Sequence, residues 1–401
     1  MKITKIETVR LDRHPNLIWV RLHTDEGLTG LGETWFGAGP VEADIHDRIA
    51  PLLIGEDPSR IEHFNRVLRS YAGFFGTGAE MRAVSAVDVA LWDLAGKAAG
   101  KPIYDLLGGA TRASIQVYNT CAGPDYVSQS ADVRPDNFGL TGSGRKDFQD
   151  LDAFLNRADE LAAELLEMGI KSMKIWPFDF AEGAGDGMDI STADLKRALE
   201  PFEKIRAAHG DAMRIKAELH GLWSLPAAKK IAAALEPIGA DWIEDPIWMD
   251  RMAEIGELVQ FTSQPIAGGE TLGGLGQVRD LLTPGALSVP IIDVTWGGGI
   301  TFAKKAAALA EGFAKPIAFH DCSGPVTLAA STHLALACPN VFEQEITRGF
   351  YYGWYHELVD QPPPIENGFI RASGDSGLGL DLLPGLAESN GATVRATTDA
   401  G

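Results

Sequence analysis

From residue 113 onward, short apolar runs alternate with amphipathic helical patterns. SIQVYN, KSMKIW, RIKAEL, DWIEDP, QPIAGG, ALSVPIIDV, KPIAFH and VFEQE are separated by stretches such as DLDAFLNRADELAAELLEMG, STADLKRALEPFEKIRAAHG, SLPAAKKIAAALEPIG and TFAKKAAALAEGF. Strands bounded by 10–15-residue helical patterns build parallel βαβ units. Eight such units over roughly 250 residues predict a closed (β/α)8 barrel.

The preceding segment has a different texture. Residues 3–10, 17–24 and 29–35 alternate apolar and polar side chains, with DEGLTG as a turn, and predict an antiparallel meander. EMRAVSAVDVALWDLAGKAAGKP follows, with Ala83, Val87, Ala90, Leu91 and Leu94 at helical spacing and Gly100 and Pro102 as a stop. Strands first and helices afterwards indicate an α+β domain. The expected division is 1–112 as a capping domain, 113–360 as the barrel and 361–401 as a tail returning to the capping domain. The fold class is therefore α/β, a (β/α)8-type TIM barrel with an α+β capping domain formed by the N-terminal segment and the C-terminal tail. The Gly-, Asp- and Ser-rich segment 122–148 is a long loop after the first barrel strand, suited to a lid.

Composition narrows the partners. A formal charge of −20 argues against nucleic acid and anionic membrane as main partners, because both are polyanions. The three cysteines, Cys121, Cys322 and Cys338, show neither CxxC spacing nor the density of a disulfide scaffold. No stretch reaches the roughly 18–20 apolar residues a membrane span needs, and the N-terminus has no apolar signal region. The expectation is a soluble cytoplasmic protein.

In a (β/α)8 barrel the C-terminal strand ends carry the chemistry. Those ends read Lys174, Glu218, Glu244, Glu270, Asp293, His320 and Glu345; from Glu218 onward the intervals are 26, 26, 23, 27 and 25 residues. An ionisable group thus recurs once per unit at one level of the barrel. Any single one has a dull explanation as a helix cap or surface charge. Three carboxylates on consecutive strand ends converge on the axis, where they repel one another and lose solvation. A divalent cation resolves that conflict, and an all-oxygen donor set with no cysteine suits Mg2+.

The set resembles the enolase superfamily, specifically its mandelate racemase subgroup. AVSAVDVALWDLAGKAAGKPIYDLLGG is similar to the capping-domain helix segment of that family, and WIEDP, GGET and WGGGIT to its barrel motifs. The resemblance covers nearly the whole chain. It implies that Glu218, Glu244 and Glu270 bind one Mg2+, that His320 with Asp293 forms a His–Asp base, and that Glu345 bonds the substrate carboxylate or enolate. Glu343 has the same strand parity and competes with Glu345. It also implies a homo-oligomer and a small-molecule acid as substrate.

One departure matters. Many members of the subgroup carry Lys-x-Lys at the end of the second barrel strand, whereas here the stretch is KSMKIWPFDF. By alternation Trp176 shares the inward face with Lys174 and takes the place of the second lysine. A tryptophan cannot act as a base, so a two-base racemase or epimerase is disfavoured. His220 lies two positions after Glu218. In sugar-acid dehydratases of the subgroup a matching histidine protonates the leaving hydroxyl; the alternative is that His220 only hydrogen-bonds a metal ligand. Lys174 would neutralise the substrate carboxylate or enediolate, and Trp176 would wall the pocket. Trp35, Phe36 and YAGFFGTG at 71–78 would close the mouth. No arginine stands out for a distal carboxylate, which favours monoacids. The reading is a Mg2+-dependent dehydratase of an aldonate or aldarate. Its rivals are a racemase or epimerase, a cycloisomerase and a non-catalytic binding protein on the same fold.

Overall fold

The computed structural model describes residues 1–71, 76–130, 132–140, 147–283, 285 and 287–398. The first sheet is an antiparallel meander of β1 (Ile3–Leu11), β2 (His14–Thr24) and β3 (Thr29–Trp35). Gly27, at φ 79°, makes the turn between β2 and β3. The helix Ala79–Ala99 lies across β3 and buries Val84, Val87, Leu91 and Leu94. Each such side chain contributes on the order of 1.5–3 kcal/mol relative to exposure. The close approach requires glycine in the strand: a Cβ on Gly32 would overlap the carbonyl oxygen of Ala86, and one on Gly30 that of Ala90. The helix ends at Gly100 in the left-handed conformation, with Lys101 N–H bonded back to Gly96 O.

The eight predicted barrel strands are all present and parallel. They are β4 (Ile115–Thr120), β5 (Ser172–Ile175), β6 (Arg214–Glu218), β7 (Trp242–Glu244), β8 (Ile266–Gly268), β9 (Val289–Asp293), β10 (Ala318–His320) and β11 (Gln344–Ile346). Each pairs with its neighbour in chain order from β4 to β10, and β11 pairs with β4, Glu345 opposite Tyr118. The bridge between Ile317 and Val341 joins the last two strands at their lower ends and closes the ring.

The tail divides. β12 (Ile365–Glu366) and β13 (Phe369–Ile370) form a hairpin that pairs with β4, so IENGFIRA extends the barrel sheet instead of the first domain. The chain then reaches the first sheet, where β14 (Ala392–Thr398) pairs antiparallel with β1, Val9 opposite Val394. Inside the barrel, Tyr118, Trp242, Ala267, Val289, Ile291 and Ala318 form a buried layer below the strand ends. Lys216 Nζ lies between the rings of Tyr118 and Trp242, at 4.8 and 4.3 Å from their centroids, and pairs with Glu343 at 2.9 Å. Among the described residues, no helix is long and apolar enough to cross a membrane.

Candidate active site

Glu218 and Glu244 are the last residues of β6 and β7 and lie opposite one another in the strand register. After each, the chain turns through left-handed residues, His220 at φ 47° and Asp245 at φ 38°. Such conformations cost a non-glycine residue roughly 1–3 kcal/mol and persist only where the surroundings impose them. Here Leu219 N–H and His220 N–H donate to Glu218 Oε1 at 2.9 and 2.7 Å, and Gly221 N–H donates to Asp245 O at 2.7 Å. Glu270 follows β8 after two glycines with positive φ, Gly268 and Gly269. One carboxylate oxygen of each of Glu218, Glu244 and Glu270 lies within 4.8 Å of the others.

The cluster is costly as bare charge. Desolvation pushes the Glu244 carboxyl up to about 8, Lys174 opposing and the neighbouring carboxylates Glu218 and Glu345 reinforcing the rise. Glu270 is raised in the same way, against the pull of His320. Trp242 Nε1–H donates to Glu244 Oε2 at 2.7 Å, which fixes that carboxylate from the layer below. Three convergent hard oxygen donors, held by backbone and indole donors, fit a divalent cation such as Mg2+.

Lys174, on β5, is fully enclosed. Its Nζ lies 2.6 Å from Glu244, 3.1 Å from Glu345 and 3.3 Å from Glu218. Burial pulls its pKa down, but these carboxylates outweigh burial and hold it well above the usual lysine value. Glu345 does not border the cavity, contrary to its expected contact with substrate. Its oxygens are taken by Thr120 Oγ1, Asp321 N–H at 2.8 Å and Lys174, and it stands behind the lysine. Glu343 is separated from Glu345 by level: it pairs with Arg214 and Lys216 one layer deeper. Trp176 does border the cavity beside Lys174, as alternation predicts.

His320 ends β10, and its Nδ1 lies 2.8 Å from Asp293 Oδ2 at the end of β9. Its Nε2 faces the cavity, 3.5 Å from Glu270. Burial lowers its pKa, but Glu270 and the bond to Asp293 more than offset this and bring it to about 10. His220 follows β6, the third barrel strand, while His320 ends the seventh; the two imidazoles therefore stand on opposite walls with the carboxylates between them. His220 Nδ1 lies 2.7 Å from Asp179 Oδ2, and Nε2 lies 3.4 Å from the Tyr126 hydroxyl. Desolvation lowers its pKa, but Asp179 and Glu218 more than offset this and bring it to about 9.

Sequence reasoning missed Asp179 and Tyr126. Asp179 sits in the single helical turn Pro177–Phe180 after β5, and the only sequence signal was an acid just past a strand end. Tyr126 comes from the long loop after β4, which also lends Val127 and Val133 to the cavity wall. Thr120 and Cys322 also line the cavity, and Trp35 and Phe36 from the first domain with Trp296 add an aromatic wall. Arg82 stands behind it, its guanidinium 4.2 Å above the Trp296 ring and bonded to the carbonyls of Trp35 and Thr77. Among the described residues no arginine borders the cavity. Within YAGFFGTG, positions 72–75 lie outside the described residues; Thr77 Oγ1–H donates to Thr271 O at 3.0 Å, on the loop after Glu270.

Comparison with known proteins gives the family of the chain. Residues 5–108 match the mandelate racemase / muconate lactonizing enzyme N-terminal domain, and residues 157–385 match the enolase C-terminal domain-like family. The chain is 33% identical to a D-galactonate dehydratase of Ralstonia pickettii over 390 residues, 95% of this chain and 92% of the relative. It is 32% identical to a D-galactonate dehydratase of Pectobacterium atrosepticum with the same coverage. A crystal structure of an enolase of the mandelate racemase subgroup from Agrobacterium tumefaciens superposes with a TM-score of 0.88 at 45% identity, covering 100% of both chains. The carboxylate triad on consecutive strands, the His–Asp pair across the barrel and the matched domains at both ends together make this chain a member of the mandelate racemase / muconate lactonizing enzyme family of the enolase superfamily.

Proposed function

We propose that this chain, a sugar-acid dehydratase of the enolase superfamily, removes water from a six-carbon aldonic acid of the galactonate type to give a 2-keto-3-deoxy acid. The observation that carries the reading is the pair of imidazoles on opposite walls, His220 and His320, each anchored through Nδ1 to its own aspartate. The names of the curated relatives supply the substrate class. The same proposal includes a division of the chain near residue 112, with the return to the first domain coming after the β12–β13 hairpin and not near residue 360.

His320, its Nδ1–H directed at Asp293, takes the C2 proton on Nε2 in its neutral form, which a cation held at Glu270 would favour by offsetting the carboxylate that chiefly raises the imidazole pKa. The ammonium of Lys174 offsets negative charge developing on the carboxylate side of the substrate. His220 gives its Nε2 proton to the C3 hydroxyl as the C–O bond breaks, so that water leaves and the enol product tautomerises to the 2-keto acid. Asp293 and Asp179 each hold the Nδ1–H of their imidazole and so direct Nε2 into the cavity as the atom that takes or gives the proton. Glu218, Glu244 and Glu270 would hold Mg2+, which supplies charge compensation for the substrate's carboxylate oxygens. Glu345 acts by fixing Lys174 within the cluster. Tyr126, Trp176, Trp35 and Trp296 exclude water and bracket the carbon chain.

Among the described residues the cavity is lined by Lys174 and no arginine, which suits a monoacid. Trp176 in place of a second lysine removes one candidate base from the wall facing His320, and His220 on that wall serves here as the acid. The test is incubation of aldonic and aldaric acids with Mg2+ in D2O, read by NMR and mass spectrometry. Water loss from an aldonate is the expected result. Deuterium uptake at C2 without water loss would replace dehydration by epimerisation.

A further inference from the structure

Glu33 is a carboxylate that the chemistry above does not use. It sits in the middle of β3 in the first domain and is wholly buried. Its Oε2 accepts from Trp19 Nε1–H at 2.7 Å. Its Oε1 faces a helix of the other domain, Pro325–Ala337, which starts five residues after His320. Thr327 N–H reaches Glu33 Oε1 at 2.9 Å, and Thr327 Oγ1 lies 2.9 Å from the same oxygen. The helix has no side-chain cap of its own; Gly324 stands at that position, and a Cβ there would overlap the Glu33 carboxylate. Glu33 thus serves as the cap from another domain.

The contact continues toward the cavity. Thr327 Oγ1 lies 3.3 Å from Thr295 Oγ1. Thr295 Oγ1 lies 3.0 Å from Asp293 Oδ1, and Thr295 N–H donates to the same oxygen at 2.7 Å. Asp293 Oδ2 then meets His320 Nδ1 at 2.8 Å. Every side chain in this run is buried. The neighbouring strand residue adds a strut, since Thr34 Oγ1–H donates to Thr295 O at 2.8 Å.

We infer that Glu33 is a positioning residue for the proposed base His320: it orients Thr327, Thr327 orients Thr295, and Thr295 holds Asp293 against the imidazole. The inference rests on the reading of His320 and Asp293 as the base pair. Counting hydrogens sharpens it. Three oxygen–oxygen contacts link Glu33 to Asp293, but Thr327 and Thr295 bring only two hydroxyl hydrogens. With both carboxylates ionised, each hydroxyl donates to its own carboxylate and the 3.3 Å contact between the threonines has no hydrogen. With a proton on Glu33, every hydrogen points toward Asp293 and each bond polarises the next. Desolvation, opposed by the bonds from Thr327 and Trp19, raises the Glu33 carboxyl to about 7, so both forms are accessible near neutrality.

Thr327→Val keeps the side-chain shape and the backbone N–H to Glu33 while removing the linking hydroxyl. In substrate-free protein labelled with 15N-histidine, the Nδ1–H resonance of His320 is assigned by its loss in His320→Asn. Thr327→Val is expected to shift or broaden that resonance and lower kcat roughly tenfold with KM unchanged, in line with the cost of a small misplacement outside the reacting groups. Thr327→Ser is expected to recover both. Glu33→Met, apolar and of similar length, is expected to cause the same spectral change, with little further effect when combined with Thr327→Val, because both break one chain. An unchanged His320 resonance in Thr327→Val, or additive effects of the two substitutions, overturns the inference. The spectroscopic measurement decides it even where no sugar acid is turned over, so failure of the dehydratase reading would show separately.

Discussion

His220 Nδ1 lies 2.7 Å from Asp179 Oδ2, across 41 residues of sequence and two different strand ends. The pair mirrors His320 and Asp293 on the facing wall, but its neighbours differ: His220 is backed by Tyr126 and Trp176, His320 by Glu270 and Trp296.

The first prediction concerns pH. His220 acts as an acid in its protonated form. A pKa raised to about 9 means that the proton is present below that value and lost above it, so kcat should fall as pH rises through the His220 pKa. Asp179 is the leading group that raises it, after burial, which acts the other way. Asp179→Asn should therefore move the falling limb to lower pH and reduce kcat near neutrality. A pH–kcat profile of the variant checks this; an unmoved limb would mean that Asp179 does not act through His220.

His320→Asn removes the base but no proposed metal ligand. The expected outcome is loss of turnover and of C2 deuterium exchange by at least about a hundredfold, the scale of general-base catalysis. Mg2+ affinity by calorimetry should be retained. Residual exchange at the wild-type rate would assign the base elsewhere.

Glu244→Gln should weaken Mg2+ binding, because it removes one of three charges from the donor set. Trp242→Phe should weaken it to a smaller degree, since it leaves the ring in place but takes away the indole N–H that orients Glu244 Oε2. Supporting donors of this kind cost about 10–100-fold in metal affinity when removed. Isothermal titration of both variants with Mg2+ is the measurement.

Gly32→Ala tests the packing of the first domain. The added methyl would overlap the backbone carbonyl of Ala86, which a side-chain rotation cannot relieve. Overpacking of this kind costs typically 1–3 kcal/mol, visible as a lower Tm. The same substitution should also lower kcat, because β3 carries Glu33 and Trp35 into contact with the barrel.

The barrel and the positions of its ionisable groups were legible because they are written in local periods. A strand alternates every two residues and a βα unit recurs every 25 or so, so Glu218, Glu244, Asp293 and His320 could be placed at strand ends before any contact was known. Alternation also placed Trp176 beside Lys174 in the cavity. Parity alone could not separate Glu343 from Glu345, because both face inward and only depth in the barrel distinguishes them. Nor could it show that Glu345 stands behind Lys174.

What the tertiary structure decided lies in turns and between domains. Asp179 meets His220 because a helical turn after β5 and a left-handed residue after β6 bend toward each other, and neither bend follows from strand periodicity. Glu33 meets Thr327 across 294 residues because two domains share one buried surface. By itself the sequence determined which groups face the barrel axis, since that follows from backbone geometry repeated along the chain. Which of them touch, and in what protonation state, was decided by packing, since desolvation and hydrogen bonding depend on neighbours that chain-local periodicity cannot specify.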